Sequence, residues 1–227
     1  MARLSHAANI PTVAIQTNLS CSVSWVEACE LSSIAFWTTF HPGETDRAGF
    51  LAKIFQLQEM GARYSVGIVG LKEHFSEIEL LRSELPEAAY LWVNAYKREP
   101  DDYSEDDQTF LESIDPLFSL NARVFETQGR ACAAGSTMVS VKADGEARRC
   151  HFLPSSIGNI YDDDFETVLA PTPCSANLCR CHIGYSHLED LDAKGLFGGG
   201  FLERRAENPS AEIAARHLTA FDAGKIG

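Results

Sequence analysis

The chain has no apolar run near the roughly 18 residues that a membrane-crossing helix needs, and its start, Met1-Ala2-Arg3-Leu4-Ser5-His6, lacks the apolar core of a secretory leader. A cytoplasmic location and no membrane partner are expected. Positive charge is scarce: 19 Lys and Arg stand against 32 Asp and Glu, for a formal charge of −13. No basic run interleaved with aromatics is present to hold a phosphate backbone, so nucleic acid is not an expected partner. Calcium-loop spacing is missing too. The acidic runs Asp101-Asp102, Glu105-Asp106-Asp107 and Asp162-Asp163-Asp164 lack the alternating ligands and glycine of such a loop, and read as solvated helix starts and turns.

What is present is enough apolar material, 45% of 227 residues, to bury the core of one domain of about 150 to 200 residues with a small appendage. The first part alternates strand and helix. Residues 12–17 (TVAIQT), 32–38 (SSIAFWT), 64–69 and 90–93 are β-branched or aromatic runs. Between them lie helical stretches at about 24–31, from Thr45 or Asp46 to Gly61, and around Ile78, Leu81 and Leu85. This alternation predicts parallel strands with right-handed crossovers, either an α/β sheet or a segment of a β/α barrel, with function at the strand C-termini. Those ends carry Gln16-Thr17-Asn18, Thr39-Phe40-His41, Gly70-Leu71-Lys72-Glu73 and Asn94-Ala95-Tyr96-Lys97. Ser104 caps a further helix through Ile114, and Asp115-Pro116 starts another through about Phe125. A hinge at Gly198-Gly199-Gly200 precedes a tail with its own cap, helix and stop between Asn208 and Gly224.

Five of the seven cysteines, Cys132, Cys150, Cys174, Cys179 and Cys181, fall within fifty residues. In a reducing compartment an odd, clustered set of thiols points to metal ligation rather than disulfides. Asp144-Gly145 between two short strand runs predicts a two-residue type I′ hairpin, with Cys150 near its open end opposite about Val139 and Cys132 leading into it. Cys174, Cys179 and Cys181 follow in a second loop, giving one ligand more than a four-cysteine site requires. The chemistry of the donors leaves iron–sulfur and zinc both open, with His151 or His182 able to replace one thiolate in a zinc site. Cys21 and Cys29 read as core or surface cysteines.

The run Cys132-Ala-Ala-Gly135, then Gly145-Glu-Ala-Arg-Arg-Cys150, then Ile157-Gly158-Asn159-Ile160 and a downstream cysteine group resembles the SPASM or twitch-type auxiliary-cluster module of radical SAM enzymes. The ending Cys179-Arg-Cys181-His182-Ile183-Gly184-Tyr185 is similar to that of an uncharacterised bacterial radical SAM family. Upstream, Val66-Gly67-Ile68-Val69-Gly70-Leu71-Lys72-Glu73 resembles the strand motif that packs on the adenine of S-adenosyl-L-methionine, with Val66 in place of its first glycine.

The resemblance spans about residues 10–205. It implies an auxiliary [4Fe-4S] cluster on Cys132, Cys150 and most of Cys174, Cys179 and Cys181, and S-adenosyl-L-methionine near Ile68, Gly70, Glu73 and Asn94. The substrate, a small molecule or a peptide, is not specified by it. The expected layout is a partial β/α (TIM-like) barrel lacking its first two strands over 1–128, a cysteine-rich β-hairpin module over 129–205 and a helical tail over 206–227. The family's initiating-cluster triplet, CxxxCxxC, does not occur. The chain is therefore expected to be either a fragment or a variant without radical initiation, with an exposed barrel edge open to association. The alternative is a non-catalytic α/β binding domain stabilised by zinc or a cluster.

Overall fold

The computed structural model describes residues 1–98 and 103–224. Asp101 and Asp102 lie outside the described residues. The chain divides into two compact units, the first comprising 1–122 with 197–211 and the second 123–196 with 212–227. The first break falls six residues before the expected 128/129 boundary. The expected tail is also shared: its start belongs to the first unit and its helix to the second.

The first unit is a mixed α/β structure built on a four-stranded parallel sheet. After a short helix α1 (Ala2–Ser5), the strands β1 (Val13–Thr17), β2 (Ile34–Phe40), β3 (Arg63–Val69) and β4 (Leu91–Asn94) lie side by side in chain order. Val13 pairs with Ile34, Phe36 with Tyr64 and Gly67 with Trp92. Among the described residues these strands form an open sheet and no closed barrel.

The helices of this unit are α2 (Arg47–Glu59), α3 (Phe75–Glu84), α4 (Glu105–Ile114) and α5 (Phe118–Ala122). All four contribute to one core on one face of the sheet, where Phe50, Ile54, Ile78, Leu81, Leu111 and Phe118 meet Phe36, Val66, Ile68 and Val93. Asp46 begins α2 by accepting from the Gly49 N–H at 2.8 Å, and Ser104 with Asp107 closes a capping box on α4.

Two expectations change here. The stretch 24–31 forms two 3₁₀ turns, Ser24–Ala28 and Leu31–Ser33, instead of an α-helix. Its serines and Glu30 satisfy backbone locally, with the Glu30 carboxylate accepting from the Ser32 N–H at 3.2 Å. The helix after Pro116 is only Phe118–Ala122, because Phe125 already belongs to a strand.

The opposite face of the sheet carries Trp37, Ser65 and Trp92, and residues of the 197–211 segment cover it. Trp92 Nε1 donates to Ser65 Oγ at 3.0 Å, and Ser65 Oγ donates to the Glu203 carbonyl. Arg204, held at φ 53°, lies over the Trp92 ring at 4.3 Å. The Glu203 carboxylate is fully buried, 3.6 Å from Arg63 Nη1.

The second unit has much shorter strands: β5 (Phe125–Glu126), β6 (Ser140–Val141), β7 (Glu146–Arg148), β8 (Ser156–Asn159) and β9 (Leu178–Cys179). Strands β6, β7 and β8 form an antiparallel sheet in that order, and β5 pairs with β9. Helices α6 (His182–Tyr185), α7 (Ala193–Phe197) and α8 (Ala211–Ala223) follow. Phe125 packs tilted against Tyr185 and edge-on against Phe221 within this unit, at 4.8 and 5.0 Å between ring centroids.

The β6–β7 turn is a three-residue loop, not a two-residue type I′ turn. Lys142 N–H donates to the Glu146 carbonyl at 2.9 Å and Gly145 N–H to the Lys142 carbonyl at 3.0 Å, with positive φ at Gly145 (86°) but not at Asp144. A type I turn followed by a bulged glycine explains this, because only one turn residue then needs the left-handed region. The register moves by one: Ser140 pairs with Arg148, so Cys150 is in line with Met138 rather than Val139. Gly158-Asn159 closes β8, and Asn159 Nδ2 donates to the Asp144 carbonyl at 3.1 Å. Among the described residues no helix is long and apolar enough to cross a membrane.

Candidate metal centre

Separate pieces of backbone fix the cysteines of the second unit. Cys132 forms an isolated antiparallel bridge with Leu188, and the neighbouring Ala133 N–H donates to the His187 carbonyl at 2.9 Å. Cys150 stands two residues beyond β7. Cys174 donates its N–H to Arg130 and accepts from Gly129, both at 2.8 Å. Cys179 lies in β9 opposite Phe125. Cys181 begins the short helix α6, its carbonyl accepting from Gly184 and Tyr185.

Four of these side chains, Cys132, Cys150, Cys174 and Cys179, line a single cavity of about 30 Å³ walled mostly by apolar groups such as Phe152, Leu153 and Leu188. Cys181 is not among its lining residues. Nor are His151 and His182, the expected substitutes in a zinc site. His182 is buried edge-on against the Tyr185 ring, and His151 packs edge-on against Phe152. Gly184 completes the wall: a Cβ there would come within 2.5 Å of Cys179 Sγ and 2.9 Å of the Phe152 ring.

Burial pushes the Cys179 thiol up to about 12, with Cys150, Cys174 and Cys181 nearby adding to the rise and a backbone hydrogen bond to Cys181 opposing it. Burial likewise pushes the Cys132 thiol above its ordinary value, with Cys174 and Cys150 adding and Arg149 opposing. A bound cation reverses the balance by stabilising the thiolates.

Four soft donors match the ligand number of a four-cysteine iron–sulfur cluster or a Cys₄ zinc site. Among the described residues, no group of three or more His, Cys, Asp or Glu converges as the shell of one metal ion. All seven cysteines are free, with Cys21 exposed and Cys29 buried in the core of the first unit.

Of the residues implied for S-adenosyl-L-methionine, Ile68, Gly70 and Asn94 lie in or just beyond the paired strands β3 and β4. Ile68 is fully buried between sheet and helices. Gly70 and Asn94 do sit together, since Gly70 N–H donates to the Asn94 carbonyl at 2.9 Å. Tyr103 caps that edge, with its hydroxyl donating to the Gly70 carbonyl at 2.7 Å and accepting from the Tyr96 N–H at 2.8 Å. Glu73 is exposed in a 3₁₀ turn beyond the strand. Arg149 and Phe152 were given no part by sequence reasoning, yet both line the thiol cavity; adjacency to Cys150 was their only signal.

No protein-family model, curated protein or solved structure matches the chain.

Proposed function

We propose that the second unit binds a [4Fe-4S] cluster through Cys132, Cys150, Cys174 and Cys179, leaving Cys181 as the spare thiol. The observation that carries this reading is that Cys132, Cys150, Cys174 and Cys179, on separately anchored stretches of chain, all line one apolar-walled cavity. Aliphatic and aromatic walls suit an occupant held by sulfur alone and keep water from it. When bound, such a cluster supplies one-electron chemistry, and the chain's own residues supply ligation, orientation and exclusion of solvent.

In the wider reading the chain is a radical SAM-type protein. Its cluster module would act as an auxiliary centre beside a β/α-barrel segment, in the radical modification of a small-molecule or peptide substrate. A parallel sheet in chain order with its four α2–α5 helices on one face is compatible with such a segment. S-adenosyl-L-methionine enters only by resemblance. The sequence holds no CxxxCxxC for an initiating cluster, so this reading assigns the chain the auxiliary role.

Anaerobic reconstitution of the full chain tests the proposal. About four iron and four sulfide per chain are expected, with broad visible charge-transfer absorption. Stoichiometric zinc without that absorption would overturn it.

A further inference from the structure

Among the described residues Arg149 is the one cationic side chain that lines the thiol cavity, and three pieces of backbone position it. Its Nε donates to the Ala134 carbonyl at 2.6 Å, two residues after Cys132. Its Nη1 donates to the Pro173 carbonyl at 2.8 Å, immediately before Cys174. Its own backbone precedes Cys150. One guanidinium thus ties together three of the four cysteine-bearing stretches. Gly135, at φ 89°, leaves room for it: a Cβ there would lie 2.5 Å from Arg149 Cγ.

The third nitrogen, Nη2, is buried and has no hydrogen-bond partner among the described residues. A buried guanidinium N–H without an acceptor is costly unless an acceptor arrives. Four thiolates around an iron–sulfur core leave an excess of negative charge, and such a core presents sulfur acceptors.

We propose that Arg149 is a positioning and charge-tuning residue for the group held by the four cysteines, turning its free N–H toward that group's sulfurs and making it easier to reduce. This rests on the cluster reading above. Hydrogen bonds to sulfur and nearby positive charge both raise a cluster's potential, so loss of Arg149 should lower it.

The test uses the full chain, reconstituted as wild type, R149M and R149K, with iron and sulfide content measured beside a redox titration followed by electron paramagnetic resonance. At the potential that half-reduces wild type, R149M should show about a tenfold lower ratio of reduced to oxidised cluster, a shift of about 59 mV for one electron. R149K, which keeps the charge but loses the fork, should stay within about threefold of wild type. Loading of R149K but not R149M would also support the charge role. Coincident potentials for R149M and wild type would overturn the proposal, as would equal shifts in both variants or failure of both to load, which would make Arg149 a structural staple only. If wild type itself takes up no iron, the cluster reading falls together with this proposal; a loaded wild type with an unshifted R149M removes the proposal alone.

Discussion

The two units are held together by different means. In the first, strands of four to seven residues back onto one apolar layer, and Ile34, Ile54, Val66, Ile68 and Leu81 are fully buried. In the second, strands run only two to four residues and the chain is pinned by scattered backbone bonds around four thiols. The first unit carries its stability in buried apolar area. The second concentrates a set of donors whose occupant should supply much of its order, as in small metal-bound modules. On the proposed reading, one chain combines a sheet stabilised by buried apolar area with a unit whose order draws on a bound group.

Stripping the proposed cluster from the reconstituted chain should give the largest effect and the sharpest contrast. Amide hydrogen exchange across 123–196 should accelerate about a hundredfold or more, while β2, β3 and α2 keep their protection. Uniform acceleration across both units would break the comparison. Next comes Phe36→Ala, which deletes a fully buried ring and should cost the first unit about 3 to 5 kcal/mol in denaturant unfolding, with iron content unchanged. Ser104→Ala removes half of the α4 capping box and should cost about 1 kcal/mol.

The smallest effect concerns Asp107. Its hydrogen bond from Lys72, with help from Ser104, lowers its pKa from 3.8 to about 2. A carboxylate depressed in the folded state adds stability above its unfolded value, and that contribution is lost as pH falls from near 3.8 through about 2. Its partner Lys72 is exposed and the pair lies at the surface, so the gain is slight. Titration by nuclear magnetic resonance should find the low midpoint, and Lys72→Gln should move it back toward the ordinary carboxylate range.

The first unit was the more legible in sequence. Runs such as IAFW and YSVGIV announce strands by β-branched and aromatic content, and Asp46 and Ser104 are cap residues in the positions where caps work. The 24–31 stretch misled because serines and Glu30 satisfy a 3₁₀ turn as readily as a helix start. Asp144-Gly145 marked the hairpin but not its loop length, since the pair suits both a type I′ turn and a bulged three-residue loop. The spacing of the cysteines identified a candidate site without identifying the spare ligand. That depends on which side chains share a wall, a matter of three-dimensional packing around Gly184 and Phe152. The burial of Glu203 and Arg204 was invisible for a similar reason: charged residues after a triple glycine look solvated until Trp92 and Ser65 are seen beneath them.

The most direct test of the central claim compares the iron content of two single variants of the full chain after anaerobic reconstitution. Cys179→Ala removes a thiol that lines the cavity, whereas Cys181→Ala removes one that does not. The account expects Cys179→Ala to lose most of its iron and Cys181→Ala to keep about four per chain. Equal loss in both, or iron retained in Cys179→Ala, would contradict it.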